Sequence, residues 1–304
     1  MNGGRRWASA LALGSAVAAG AVAFGWPLFI RPEGSASPMQ APIVLALVLG
    51  LVLSIVLSEL VAGGLDVKAL AMLGVLAAVG SILRPLSAGT AGFELVFFLL
   101  ILAGRVFGAG FGFALGAITL FTSALLTSGV GPWLPYQMLA AGFVGLFAGW
   151  LPGPRTETAA SGRGELVLLA GYGVVSAFAY GWLMDFSFWP FALGDGTQLS
   201  FDPSASPSEN LHRFVLFNLA TSMGWNLGRA LTNAAVILLV GAPLLRLLRR
   251  TARRAAFATA ASPTGWPLAG PVRTPEADET PRVPAQETAR PEVLSRRPAG
   301  NTGP

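Results

Sequence analysis

The chain has 304 residues, of which 53% are hydrophobic and only 12% charged, and its mean hydropathy is +0.63. A soluble domain carries roughly 25% charged residues, so the composition excludes an ordinary soluble protein and predicts a polytopic membrane protein. There is no cysteine and a single histidine, His212, which excludes disulfides, iron–sulfur clusters, thiol nucleophiles and a histidine-rich metal site.

The first apolar run, 7–30, follows Arg5 and Arg6 and is long enough to span a bilayer. It reads as a retained helix, with a cleaved signal peptide as the alternative. The later apolar runs lie at 42–62, 67–83, 94–108, 110–127, 135–151, 165–187 and 214–245, giving about eight transmembrane helices in an all-α bundle. Glycine and proline soften several boundaries without ending a helix. Beyond 251 the hydropathy collapses into Pro, Ala, Arg, Glu and Thr without periodicity, which predicts a disordered tail. The run 246–254 at its start is expected against anionic lipid headgroups.

The net charge of +5 is concentrated at predicted helix ends, so no nucleic-acid partner is expected. With the N-terminus in the cytosol, the inner segments collect Arg5, Arg6, Lys68, Arg105, Arg155, Arg163, Arg246, Arg249, Arg250, Arg253 and Arg254. The outer ones collect only Arg31, Arg84 and Arg213. The positive-inside rule then predicts a multi-pass plasma-membrane protein with both termini cytosolic. Lys68 is the sole lysine and no GxxxxGK[ST] precedes it, so any ATP-driven work falls to a partner.

Several polar and small-residue patterns stand out from this background. Gly74, Ala78 and Ser81 fall on one face of the 67–83 helix, a stripe suited to close packing within the chain or to docking on a partner membrane protein. Arg84 and Glu94 flank one outer turn, where a local ion pair is expected. A second turn, 129–137, carries Trp133, Tyr136 and Gln137 between glycines and prolines that restrict its backbone. The long outer stretch 186–214 contains Phe188, Trp189, Asp195 and Asp202, and reads as a solvated lid. In the last helix Ser222, Asn226, Arg229 and Asn233 recur on one face, with Arg229 about midway through the span. An arginine at that depth is costly unless it is paired or hydrated. It therefore reads either as a binding group or as a structural partner of Asp185, Glu94 or backbone carbonyls.

No catalytic residue is expected. His212 stands beside Arg213 without a nucleophile turn of the GxSxG kind. Asp185, Asp195 and Asp202 leave a membrane enzyme with external carboxylates as a minor alternative. No metal and no cofactor are expected.

From Lys68 through LAMLGVLAAVGSILRPL and on through FGAGFGFALGAITLFTSALLTSGVGPWLPYQMLAAGFVGLFAGWLP, the chain resembles the substrate-binding S component of energy-coupling-factor (ECF) vitamin transporters, the actinobacterial versions above all. The resemblance extends to about residue 245, and GVGPWLPYQM is its most specific part. It implies three regions: two N-terminal helices over 1–65, a six-helix substrate-binding core over 66–250 and the tail over 251–304. The extra helix pair and the tail depart from the family's pattern. The resemblance further implies a protein that binds a vitamin-like small molecule outside the cell, works with a membrane coupling subunit (T component) and two cytosolic ABC ATPases, and performs no chemistry. The family's ligand position maps onto Arg84, Trp133, Gln137, Trp189, Asn226 and Arg229. Its docking motif maps onto Gly74, Ala78 and Ser81, with glycine and serine in place of alanine. Cobalamin is the first candidate ligand, and riboflavin, thiamin or a pterin the others. A stand-alone small-molecule permease is the alternative from another class.

Overall fold

Runs of Ala, Leu, Val, Gly and Phe this long must satisfy their backbone polar groups internally when they sit in lipid, and the helix is the local way to do so. The computed structural model accordingly is helical. It describes residues 3–25, 27, 67–87, 91–152, 162–193 and 197–260, with six further residues between 46 and 54. The described residues belong to one unit, Met1–Ala261. They form α1 (Gly3–Gly25), α2 (Val67–Ser87), α3 (Val96–Phe107) and α4 (Ala109–Leu126). These are followed by α5 (Leu134–Trp150), α6 (Arg163–Ala192), α7 (Pro207–Thr221) and α8 (Met223–Ala260). No strand occurs among the described residues.

Four segments are long and apolar enough to cross a membrane: Lys68–Ser87, Ala109–Leu126, Arg163–Ala192 and Met223–Arg253. Ala10–Gly25 and Val96–Phe107 are shorter apolar helices. The protein is thus an all-α helical membrane bundle. The helix predicted over 42–62 lies outside the described residues apart from the helical positions 46–47, 49–50 and 53–54. Of the disordered tail predicted over 251–304, the first ten residues instead continue α8, while the part beyond 260 lies outside the described residues.

Two boundaries differ from the hydropathy reading. The predicted 214–245 helix is two helices, α7 and α8, separated at Ser222. The helical hydrogen bonds from Ser222 N to Asn218 O (2.9 Å) and from Asn226 N to Ser222 O (3.0 Å) survive on either side, so the break is confined to one residue. The polar pair Thr221–Ser222 causes no dip that an apolar average detects. The predicted 186–214 lid is also largely helix, because α6 runs on to Ala192 and α7 begins at Pro207. The Ser206 hydroxyl caps α7 by accepting from Glu209 N, with Pro207 in the first turn. The connector is tied down by Asn210, whose Oδ1 accepts from Asp202 N (3.0 Å) and whose Nδ2 donates to Asp202 O (2.8 Å). Trp189, Phe201, Phe214 and Phe217 form a separate aromatic core beneath it.

The centre of the bundle is α3, whose residues Val96–Arg105 are all buried. It turns back into α4 through Gly108 alone, at φ 99°, a conformation that disfavours residues with a Cβ. The hairpin closes on α5 where Gly104 of α3 and Gly112 of α4 both abut the carbonyl of Gly145. A methyl group at Gly104 or Gly112 would run into that backbone, so three helices meet at one glycine crossing. The close approach buries Leu100, Ile101, Leu102, Phe113 and Leu115 completely.

At one end of the bundle Glu165 Oε1 accepts from Arg105 Nε (3.0 Å) and from an Arg249 guanidinium nitrogen (2.6 Å). Arg105 also donates to Leu151 O at 2.8 Å. Lys68 and Arg163, in the first turns of α2 and α6, and Arg246, inside α8, lie at this same basic end, which the antiparallel order of α2 to α6 and α8 brings together. The opposite end holds Arg84, Glu94, the 127–133 turn, the aromatic core and the start of α8.

Candidate functional site

The site at the opposite end begins with a turn of unusual backbone. Ala91 and Gly92 both have positive φ, 48° and 78°. Gly92 sits against the carbonyl of Trp225, and Gly228 sits against the carbonyl of Ala91. The turn is therefore wedged onto the first turns of α8. Ser87 Oγ accepts from Leu95 N at 2.9 Å and fixes the entry into α3. Together these contacts hold Glu94 in front of Arg229.

The two side chains make a two-pronged ion pair, Arg229 Nε to Glu94 Oε2 at 3.2 Å and an Arg229 terminal nitrogen to Glu94 Oε1 at 3.0 Å. The arginine side chain is 8% exposed and the glutamate 27%. The other terminal nitrogen donates to Asn226 Oδ1 (3.0 Å) and to Ala177 O (3.3 Å). The guanidinium lies 5.0 Å from the Tyr180 ring centre and 5.6 Å from that of Phe97. These two rings are themselves in edge contact at 4.6 Å. Arg229 thus occupies an aromatic box with nearly all its donors engaged.

The immediate partners of Arg229 are thus Glu94, Asn226 and a backbone carbonyl. This corrects the expected Arg84–Glu94 pair, because Glu94 is committed to α8. The expected depth of Arg229 changes as well. Since α8 starts at Met223, the arginine lies in its second turn, near the end of the bundle rather than midway through the span.

Below and above the ion pair runs a polar seam. On α6, Gly173, Ala177, Gly181 and Asp185 recur every four residues, and the polar stripe of α8 meets them in turn. Asn233 Nδ2 donates to Gly173 O at 3.2 Å, Arg229 reaches Ala177 O, and the Asn226 amide packs on Gly181. Asp185 accepts from Asn218 Nδ2, and the Ser222 hydroxyl lies close to its carboxylate. Small residues on one helix make room for polar side chains on the other. Four buried side-chain atoms of this region, Asn218 Oδ1, Asn226 Nδ2, Asn233 Oδ1 and Trp182 Nε1, have no partner among the described residues.

Of the other predicted site residues, Arg84 and Gln137 meet directly, the guanidinium donating to Gln137 Oε1 at 3.1 Å across 53 positions of sequence. Arg84, Glu94 and Arg229 all lie within electrostatic range of the Tyr180 hydroxyl, which puts both pairs at one end of the bundle interior. Trp133 stands apart. It is 41% exposed, its ring covers Gly131 and its Nε1 donates to Gly129 O at 3.3 Å. Trp189 also stands apart, 1% exposed inside the aromatic core with Nε1 bonded to Leu199 O at 2.7 Å. Sequence reasoning missed Tyr180 and Asn218. The signal that points to them is the four-residue small stripe of α6, which has to face a polar partner.

The expected docking stripe divides in two. Gly74 and Ala78 are exposed, and nothing lies within 4 Å of a Cβ placed on Gly74. Ser81 turns inward, donating to Ala77 O (2.7 Å) and Thr119 O (3.1 Å), because the boundary of the buried face of α2 passes between Ala78 and Ser81. A groove of about 380 Å³ between α1, α5 and α6 is lined by Val17, Phe24, Phe143, Phe147, Leu183 and Phe186 among others. It is apolar and belongs to the lipid-facing side. Among the described residues no group of three His, Asp or Glu side chains is placed to hold a metal ion.

The chain matches no protein-family model, no curated protein and no solved structure.

Proposed function

We propose that the protein is the solute-binding S component of an ECF-type ABC importer for a vitamin or related micronutrient, cobalamin being the first candidate. In this reading it sits in the plasma membrane with both termini cytosolic. The basic end faces the cytosol, and the Arg84–Arg229 end faces outward and receives the solute. The mechanism is binding and delivery, with transport driven by a membrane coupling subunit and two cytosolic ABC ATPases. Gly74 and Ala78 form the face that meets the coupling subunit.

One observation carries this reading. Four residues chosen from the resemblance, Arg84, Gln137, Asn226 and Arg229, come from three helices, α2, α5 and α8, and converge as two bonded pairs at one end of the bundle. Buried polar atoms without partners lie beside them. A buried polar group left unbonded costs about 1–3 kcal/mol, so a solute that bonds these atoms gains that much from each. Arg229 and Asn226 then act chiefly as the rigid floor, and Arg84 and Gln137 as the groups nearest the solute.

The test is mass spectrometry with a visible absorption spectrum on protein purified in mild detergent from cells fed mixed vitamins. A stoichiometric vitamin is expected, and cobalamin would show by its colour. Protein that is empty and fails to bind every vitamin supplied points instead to the stand-alone permease.

A further inference from the structure

The interior of the Arg229 end holds four ionisable groups besides tyrosine, and they are not matched pairwise. Arg229 and Glu94 neutralise each other. Among the described residues Arg84 bonds only the neutral Gln137. Among the same residues Asp185 bonds only the neutral Asn218, with Ser222 close by, and Arg229, although within electrostatic range, is bound elsewhere. Neither Arg84 nor Asp185 forms an ion pair with any described residue, nor do they pair with each other. Among the described residues one cation and one anion thus lack an ion-pair partner, Arg84 within electrostatic range of Tyr180 and Asp185 within range of Arg229. Asp185 is five residues beyond Tyr180 along α6, about 7.5 Å of helix rise.

The unbonded atoms sort by the same polarity. Beside Asp185, Asn218 Oδ1 is a fully buried acceptor without a donor. With the Asp185 carboxylate and the Ser222 hydroxyl it makes a cluster of acceptors, which suits the several N–H donors of an ammonium or amidinium group. On the other side Arg84 and the amide nitrogen of Gln137 are donors only, which suits a carboxylate or phosphate. Asn226 Nδ2, buried beside Arg229, adds a donor for a neutral oxygen.

We infer that the site takes a zwitterion, a small molecule with an anionic group seated on Arg84 and Gln137 and a cationic group seated on Asp185 and Asn218. This rests on the proposed role as a solute-binding subunit and narrows its substrate class. Riboflavin, uncharged at neutral pH, would leave both charges unmet.

Two measurements on the full-length protein in mild detergent test the inference. The first is thermal unfolding without solute. Charges held for a ligand gain nothing from the empty protein, so R84Q and D185N should unfold at or above the wild-type temperature, whereas E94Q should unfold several degrees lower. A D185N protein as unstable as E94Q would make Asp185 a structural anchor of α7 and overturn the inference. The second is capture from the small-molecule filtrate of a cell lysate, with R84Q and D185N run in parallel and retained compounds identified by mass spectrometry. The expected result is a compound with both an acidic and a basic group, retained about tenfold less or worse by each variant, as for the loss of one charge-assisted contact. Retention of singly charged or neutral compounds only, or equal retention by both variants, overturns the zwitterion while leaving the binding role intact. No retention by the wild-type protein overturns the binding role, and this inference with it.

Discussion

Removing the guanidinium of Arg229 would strand Glu94 beside Tyr180 and Phe97 with no other cation bonded to it. Breaking a buried pair from one side typically costs about 3–5 kcal/mol. Arg229→Ala should therefore lower the unfolding temperature sharply, and Glu94→Gln somewhat less, since glutamine keeps the shape and still accepts a hydrogen bond from Arg229. The double variant Glu94→Gln with Arg229→Gln should recover part of the loss, and a double-mutant cycle in thermal unfolding measures the coupling. Additive losses would show that the pair contributes no interaction energy. A second residue-scale effect depends on pH. Hydrogen bonds from the Ser204 hydroxyl and backbone, with Arg213 nearby, hold the Asp202 carboxyl below its ordinary value of 3.8. A depressed carboxylate contributes stability above its unfolded value and loses it as pH falls through the folded value. Amide exchange in the 197–206 connector should therefore rise only below pH 3.8, and Asp202→Asn should remove that dependence. The residue-scale pairings were the least legible part of the sequence. Arg229 stood out because a cation inside an apolar span needs an explanation, but Glu94 lies 135 positions away. Nothing in a linear pattern selects Arg229 over the nearer Arg84 as the partner of Glu94.

At the scale of elements, hydropathy located most helices because burial in lipid leaves a one-dimensional record. It missed the break at Ser222 and the start of α7, where polarity rather than apolar content decides. The α7 start was nonetheless written in the sequence as Ser206-Pro207-Ser208-Glu209, a capping pattern with proline in the first turn. Ser206→Ala should cost about 1 kcal/mol and speed amide exchange at the first turn of α7 while leaving α8 unchanged. Equal exchange in the two proteins would show that the cap does not hold the helix. The glycine crossing predicts a larger effect. Gly145→Leu would drive a side chain into the backbone of Gly112, and no rotamer removes its Cβ. Loss of a monodisperse, folded species in size-exclusion chromatography is expected. Gly74→Leu with Ala78→Leu meets open space instead, so the unfolding temperature should stay within a degree or so while pull-down of the coupling subunit fails. If pull-down survives, that face is not the docking surface.

For the whole molecule, the charge asymmetry gives a topology that a cysteine-free chain makes simple to read. Ser208→Cys lies at the Arg229 end and Arg250→Cys at the basic end, and both positions are exposed. A membrane-impermeant maleimide should label the first in intact cells and the second only after permeabilisation. The reverse pattern would invert the proposed orientation and place the site in the cytosol. The class of the protein was legible at this scale because composition and basic-residue placement are global sums. The site was only half legible. Arg84, Gln137, Asn226 and Arg229 fell together, whereas Trp133 and Trp189, chosen as aromatic loop residues, went to a turn surface and an aromatic core.

The one-residue link at Gly108 also constrains how the chain enters the membrane during synthesis. Val96–Phe107, with 12 residues, spans about 18 Å, well short of a hydrocarbon core about 30 Å thick, and it carries Arg105. On leaving the ribosome it has no stable transmembrane state of its own. It must wait for Ala109–Leu126 and partition with it as a preformed helical hairpin.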